Sequence, residues 1–169
     1  MDHNHRILVA TDLGDTTSGA LRAGAALALG SHAELAVVHV VPSLETISML
    51  FPQRYAAEVV STGDQLQRAD AAIREHVARV GCEVSEVFID EGTPYAEIVK
   101  RAESWRADII VVGSHGRSGL ARVFGSVAQR VVRHADCAVL VARGARARTQ
   151  LHAGDRAAVR RRAGDDPGG

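Results

Sequence analysis

The chain has 169 residues, of which 46% are apolar and 24% are charged, and its formal net charge is zero. This length and composition suffice to bury one hydrophobic core and indicate a single domain. No apolar run is long enough to cross a bilayer, and residues 1–6 lack the apolar core of a signal peptide. We therefore expect a cytoplasmic protein that does not associate with membranes.

Charge is unevenly distributed along the chain. From Arg143 onward there are seven arginines and three aspartates, which gives this end a net charge of +4. Large apolar residues become rare after Arg143, so we expect 144–169 to be a disordered, arginine-rich tail that follows a domain at 1–143. No aromatic residue lies among these arginines, and base stacking needs aromatic side chains. We therefore do not expect the tail to bind nucleic acid.

The two cysteines, Cys82 and Cys137, are far apart in the sequence. They do not form the closely spaced pairs that bind metal ions or cycle between thiol and disulfide. We expect both thiols to be packed and unreactive.

Short runs rich in Val and Ile alternate along the chain with Ala-rich segments of helical spacing. The runs predict five strands, at residues 6–10, 35–41, 84–89, 109–112 and 138–141. The segments between them predict helices at about 16–29, 56–80, 95–105 and 126–134. Strands that alternate with helices pair in parallel through right-handed crossovers. The sequence therefore predicts an α/β fold, an open parallel five-stranded sheet with helices on both faces.

Glycine and proline mark the predicted ends of the helices. Gly30 is expected to end the first helix, and Gly81 the second. Thr93 followed by Pro94 predicts an N-cap with proline at the first position of the third helix.

The most informative segment, residues 109–126, joins the fourth strand to the last helix. Its sequence is Ile-Ile-Val-Val-Gly-Ser-His-Gly-Arg-Ser-Gly-Leu-Ala-Arg-Val-Phe-Gly-Ser, an apolar strand that runs into glycines and then into a helix start. Glycines let backbone N–H groups approach an anion, and a helix N-terminus adds further N–H groups and the positive end of a dipole. The segment therefore predicts a phosphate-binding loop.

This loop differs from the two common glycine-rich nucleotide motifs. The P-loop spacing is absent, and the only lysine, Lys100, lies upstream of the loop. The loop also lacks the Gly-x-Gly pair of a dinucleotide fingerprint. It resembles instead the loop of the universal stress protein family, whose ATP-binding members carry Gly-x2-Gly-x9-Gly-Ser/Thr. Here Gly113 and Gly116 are followed by Gly125 and Ser126 after eight residues, one fewer than in the family pattern.

Other segments follow in the order typical of this family, so the resemblance covers about residues 1–143. They are Arg6-Ile-Leu-Val-Ala-Thr-Asp12, Leu35-Ala-Val-Val-His-Val40, Glu91-Gly-Thr-Pro94 and Cys137-Ala-Val-Leu-Val141. The resemblance implies a Rossmann-like fold that binds ATP beyond the carboxyl ends of its strands, where open α/β sheets bind ligands.

The resemblance also implies which residues contact the nucleotide. Asp12 would lie beside the nucleotide and could hold Mg²⁺, since carboxylate oxygens suit that ion, or it could serve as a cap or turn residue for the next helix. Val40 would contact adenine through its backbone. Arg117 would either contact phosphate oxygens or face solvent. The other implied contacts are Ala10, Gly113, Ser114, His115, Gly116, Gly125, Ser126 and Val127.

The last strand is the edge through which members of this family usually form dimers. Ala138 stands where relatives commonly have proline, and it restores a backbone N–H to this strand. An exposed Val-Leu-Val edge otherwise invites uncontrolled pairing. The resemblance therefore implies a homodimer that forms through residues Ala138 to Ala142.

Three functions are compatible with the sequence. The first is a dimeric regulatory protein of the stress response that binds ATP, with or without Mg²⁺. The second is a nucleotide-free dimeric scaffold, which the shortened loop supports best. The third is a slow ATPase, but the sequence lacks an evident catalytic base or lysine clamp for phosphoryl transfer. His39 has no acid or nucleophile near it in sequence, so we expect a structural histidine and no enzymatic activity.

Overall fold

The computed structural model describes residues 5–13, 17–43, 62–114 and 125–143. Within these ranges the strands are β1 (Arg6–Thr11), β2 (Glu34–Val41), β3 (Glu86–Glu91), β4 (Ile109–Gly113) and β5 (Ala138–Ala142). The helices are α1 (Thr17–Ser31), α2 (Thr62–Val80), α3 (Pro94–Trp105) and α4 (Ser126–His134). The predicted α/β fold is confirmed. None of the helices in these ranges is long and apolar enough to span a membrane.

The five strands form one parallel sheet in the order β3-β2-β1-β4-β5. The chain adds β2 and β3 on one side of β1 and then crosses over to add β4 and β5 on the other side. The direction of strand addition therefore reverses between β1 and β4. The carboxyl ends of these two strands form the topological switch point, where open α/β sheets bind ligands.

Each face of the sheet has its own hydrophobic core. Successive residues of a strand point to opposite faces, so the neighbours Leu8 and Val9 of β1 belong to different cores. On the side of Leu8, α3 and α4 pack through Trp105 and Val131. On the side of Val9, α1 and α2 pack through apolar residues that include Ile73. The sheet therefore carries helices on both faces, as predicted.

Helix α1 lies close to the sheet at Gly24. A Cβ atom at this position would overlap the Cγ2 atom of Val9 and would lie 3.4 Å from Cδ1 of Leu35. Both of these side chains are buried. Glycine therefore permits a close approach of the helix to β1 and β2 that any larger residue would prevent.

Two predicted helix ends have different outcomes. Gly81 ends α2 as predicted, with a left-handed φ of 72° and its N–H donating to the carbonyl of Val77 at 3.0 Å. The prediction that Gly30 ends α1 was wrong, because the helix continues to Ser31 and His32 takes the left-handed conformation with a φ of 53°. Histidine is one of the residues more often found there, so the helix can end without glycine.

Strand β3 begins two residues later than the prediction of 84–89. Both the backbone N–H and the hydroxyl of Ser85 donate to the carbonyl of Leu35, at 2.7 and 3.0 Å. The parallel ladder with β2 then starts at the pair Ala36 and Glu86. The position of β3 is therefore set by its pairing with β2, which local residue preferences do not predict.

Helix α3 begins as predicted, with Thr93 as the N-cap and Pro94 at its start. Arg101 attaches this helix to β3, because its guanidinium donates two hydrogen bonds to Asp90, of which Nε to Oδ2 is 2.9 Å. The same guanidinium lies 4.4 Å from the ring centroid of Phe88. The hydrogen bonds to Asp90 raise the pKa of Arg101. This pair holds α3 over the outer strand of the sheet.

Candidate functional site

Asp12 and Ser114 lie at the switch point of the sheet. Asp12 directly follows β1, and Ser114 directly follows β4. The two strands pair in a register that includes Val9 with Val111, and continuing this register places Asp12 level with Ser114. Ser114 is only 3% exposed, and the Oδ2 atom of Asp12 is shielded from solvent. A carboxylate and a hydroxyl therefore lie at neighbouring strand ends, where the fold predicts a ligand.

The chain turns sharply after Asp12. Leu13 has a left-handed φ of 59°, and its N–H donates to Oγ1 of Thr11 at 3.1 Å. A left-handed conformation is unfavourable for leucine, by about 1–2 kcal/mol. The side chain of Leu13 packs against the core between the sheet and helices α1 and α2. This packing helps to hold the turn that follows β1 at Asp12 and Leu13.

His39 links the ends of β1 and β2. Its Nδ1 atom lies 2.8 Å from the carbonyl oxygen of Thr11, and since a carbonyl can only accept, Nδ1 donates. His39 faces Thr11 in the ladder between these strands. The hydrogen-bonded structural role expected for this histidine agrees with this contact. Its neighbour Val40 is 7% exposed and lies with Ala10 in the core beneath α3 and α4.

A hydrogen bond closes the base of the predicted phosphate loop. The N–H of Gly125 donates to the carbonyl of Ser114 at 2.9 Å, which joins the end of β4 to the start of α4. The N–H of Ser114 in turn donates to the carbonyl of Ala142 at 2.7 Å, which joins the same point to the end of β5. Three parts of the chain therefore converge at Ser114.

The N-terminus of α4 has the properties of an anion-binding site. Gly125 is the N-cap, and no side chain in the described part of the chain caps it with a hydrogen bond. The first backbone N–H groups of the helix, at Ser126 and Val127, precede the first internal helix bond, which Gln129 makes to Gly125 at 3.1 Å. Such N–H groups and the positive end of the helix dipole favour an anion.

The structure brings together most of the residues predicted from the sequence. Gly113 and Ser114 meet Gly125 and Ser126 through the hydrogen bond that closes the loop. Val127 lies in the first turn of α4, and Asp12 lies on the neighbouring strand end. Ala10 and Val40 lie in the strands that support the site. Three predicted contacts, His115, Gly116 and Arg117, lie outside the described residues.

The hydrogen bond between Gly125 and Ser114 holds the ends of the loop together, although the loop is one residue shorter than the family pattern. This hydrogen bond fixes the end of β4 against the start of α4, irrespective of the number of residues between them. The free energy of closing a loop changes only slightly with one residue of length. The eight-residue spacing is therefore compatible with a loop that starts and ends at the site.

Asp12 is the predicted ligand of Mg²⁺. Among the described residues, no group of three or more His, Cys, Asp or Glu side chains could hold a metal ion. Mg²⁺ does not need such a group, because it is commonly bound by one or two carboxylates together with phosphate oxygens and water. The shielded carboxylate of Asp12 fits a metal ion that would arrive with a nucleotide, but not a metal ion held by protein side chains alone.

The carboxyl end of β5 also belongs to this site and was not predicted from the sequence. The contact between Ser114 and Ala142 joins residues that are distant in the sequence, and no local motif marks it. Only the strand order, in which β5 lies beside β4 at the edge of the sheet, could have indicated this contact. Arg143 follows Ala142 directly and therefore also lies at this corner of the sheet.

The fold and the site define a protein with an open parallel α/β sheet and an anion-binding helix N-terminus at the switch point. The family model of the universal stress proteins matches residues 3–143. The chain therefore belongs to the universal stress protein family.

Comparisons with individual proteins agree with this assignment. Universal stress protein MJ0531 of Methanocaldococcus jannaschii is 32% identical over 139 residues, which cover 80% of each chain. The solved structure of MJ0577 from the same organism has a TM-score of 0.63 and 27% identity, over 85% of this chain and 98% of its own. The universal stress protein of Archaeoglobus fulgidus in complex with dAMP has a TM-score of 0.52 and 26% identity, over 82% and 97% of the two chains.

Proposed function

We propose that this protein is a regulatory module of the stress response that binds ATP, with or without Mg²⁺, at the carboxyl ends of β1 and β4. The observation that carries this proposal is the hydrogen bond from Gly125 to Ser114, which holds the N-terminus of α4 against the end of β4. The relative from Archaeoglobus fulgidus in complex with dAMP supports an adenine nucleotide as the ligand.

Each part of the site has a separate role in this proposal. The backbone N–H groups of Ser126 and Val127 bind phosphate oxygens, together with the loop that begins at Gly113. Asp12 would hold Mg²⁺ directly or through water, and the ion would supply positive charge that offsets the phosphates. The backbone near Val40 contacts the adenine. The bound metal would reduce the repulsion between Asp12 and the phosphates.

We propose binding rather than catalysis. In the described part of the site, polar side chains at the strand ends and the helix start include those of Asp12, Ser114 and Ser126. His39 donates through Nδ1 to Thr11, and Lys100 pairs with Glu97 at 3.3 Å on α3. Phosphoryl transfer uses a base that positions the attacking group, and the contacts of His39 and Lys100 engage these two side chains elsewhere, so we expect a stable complex rather than turnover.

We further propose that two copies associate through β5. This strand forms one edge of the sheet and pairs with β4 on its other side. Leu140 is 40% exposed on this strand. A charge on an edge strand opposes pairing with another strand, so Leu140→Lys should convert a dimer to a monomer in analytical ultracentrifugation. A wild-type protein that sediments as a monomer would disprove this part of the proposal.

Calorimetric titration with ATP, with and without Mg²⁺, tests the proposal on protein stripped of bound ligand. Saturable binding near one nucleotide per chain is the expected result. Asp12→Asn should remove the effect of Mg²⁺ on ATP affinity, since the amide lacks the charge that the metal ion needs. Asp64→Asn, on the exposed first turn of α2, is the matched control.

Two other results would favour the alternatives. If wild-type protein shows no binding up to millimolar ATP at several temperatures, the protein is a nucleotide-free scaffold. If phosphate is released above the spontaneous rate and Asp12→Ala abolishes this release, the protein is a slow ATPase. Neither result is expected from the contacts at the site.

A further inference from the structure

Arg143 lies at the carboxyl edge of the sheet, directly after β5. It directly follows Ala142 in the chain. The carbonyl of Ala142 accepts a hydrogen bond from the N–H of Ser114 at 2.7 Å. Gly113 is the ladder partner of Ala142. The residue therefore lies immediately beside the closed base of the phosphate loop.

Strand alternation also determines the face on which Arg143 lies. Val139 and Val141 of β5 pack into the core beneath α3 and α4, whereas Ala142 packs into the core on the opposite face. Continuing this alternation places Arg143 on the face covered by α4. The N-terminus of α4 is held at the same corner, because Gly125 bonds to Ser114.

Arg143 is available for a ligand. It is exposed, and no described residue forms an ion pair with it. Four of the other described arginines pair with carboxylates: Arg6 with Glu34, Arg74 with Asp70, Arg79 with Glu75 and Arg101 with Asp90. The charge of Arg143 is therefore not neutralised within the described part of the chain.

The predicted phosphate site needs additional positive charge. A helix N-terminus supplies about half of an elementary charge, much less than the negative charge of a triphosphate. The only lysine of the chain, Lys100, pairs with Glu97 on α3. Arginine can donate two parallel hydrogen bonds to a phosphate, and such charged hydrogen bonds are stronger than neutral ones.

We propose that Arg143 contacts the terminal phosphates of the nucleotide and makes the site selective for di- and triphosphates over monophosphates. The inference rests on the proposed nucleotide function. Neighbouring strands lie about 4.8 Å apart, so Asp12 and Arg143 flank Ser114 from β1 and β5. A polyphosphate that extends from Asp12 across β4 reaches Arg143, whereas a monophosphate ends near Ser114.

The test compares the affinities of AMP, ADP and ATP for the full chain, with Mg²⁺ present. Arg143→Ala should weaken ATP binding about tenfold, which corresponds to about 1.4 kcal/mol, and should leave AMP binding nearly unchanged. Arg143→Lys should recover part of the loss, because lysine keeps the charge but not the paired hydrogen bonds. Arg133→Ala, in the last turn at the other end of α4, is the matched control and should change neither affinity.

The outcomes separate this inference from the function on which it rests. If Arg143→Ala leaves ATP binding unchanged, or weakens ATP and AMP by the same factor, the inference is wrong while nucleotide binding stands. If wild-type protein binds none of the three nucleotides, the proposed function fails and the inference fails with it. Circular dichroism checks that each variant is folded, and folding is expected because Arg143 is exposed.

Discussion

Gly125 donates its backbone N–H to the carbonyl of Ser114 at 2.9 Å, and this bond fixes the N-terminus of α4 against the end of β4. The geometry of the site therefore depends on a main-chain contact and not on a particular side chain. It also places the first N–H groups of α4 at the end of β4, which is the strand beside the one that Asp12 follows.

The contribution of the α4 N-terminus can be measured with two variants of Ser126. Proline is well tolerated at the first helical position, and the ψ angle of 146° at Gly125 suits a following proline. Ser126→Pro should therefore remove an N–H and a hydroxyl without unfolding the helix. We expect ATP affinity to fall about tenfold, the loss of a hydrogen bond to a charged group.

Ser126→Ala is the control for the hydroxyl, and it should reduce affinity less than Ser126→Pro does. Thermal unfolding should show similar midpoints for the three proteins. If calorimetry gives the proline variant the same affinity as wild type, the phosphates do not bind at this helix end.

Two glycines of α1 should respond in opposite directions to alanine. At Gly24 a Cβ would overlap the buried Val9 side chain, so Gly24→Ala should reduce the free energy of unfolding by about 1–3 kcal/mol. At Gly30 a Cβ would have no neighbour within 4 Å among the described atoms. Gly30→Ala should therefore raise the free energy of unfolding by about 0.5–1 kcal/mol, because alanine favours the helix. Urea unfolding measures both, and equal effects at the two positions would contradict the packing of α1.

Burial of His76 should make stability depend on pH. Burial lowers the pKa of this histidine below its ordinary value of 6.5, and the positive charges of Arg79 and Arg22 lower it further, against a smaller opposing effect of Glu75. The unfolded chain therefore binds a proton near pH 6.5, where the folded chain does not yet bind one. The stabilising contribution is complete above pH 6.5 and is lost as the pH falls towards the folded pKa.

His76→Leu should flatten this dependence. Urea unfolding of wild type and variant at several values between pH 5 and 8 measures the difference. The gap in unfolding free energy between the two proteins should change below pH 6.5 and stay constant above pH 7.5. A constant gap over the whole range would show that His76 does not titrate differently on folding.

The two cysteines should react slowly in the native protein. Burial raises the pKa of both the Cys82 and the Cys137 thiols. The thiolate is the reactive form, so a raised pKa and partial burial both slow the reaction. At pH 8, a disulfide reagent should modify both thiols much faster in urea than in buffer. Rapid labelling of folded protein, assigned with Cys82→Ser and Cys137→Ser, would identify a reactive thiol that the structure does not account for.

Much of the fold follows from short-range sequence patterns. Runs of Val and Ile correctly predicted all five strands, and Gly81 and Pro94 marked a helix end and a helix start. Asp12 and Ser126 could be selected for the site because each lies next to a recognisable strand or helix end. These features depend on residues that are close together in the chain, and for this reason they can be predicted from the sequence.

The sequence by itself determined the alternation of strands and helices, the glycine-rich loop and the charge of the tail, because each is a local property of the chain. The tertiary structure decided the start of β3, the need for glycine at Gly24 and the position of Arg143 beside Ser114. Each of these depends on contacts between segments that are distant in the sequence. Such contacts follow from the strand order β3-β2-β1-β4-β5 and the packing of helices on it, and no local pattern encodes that order.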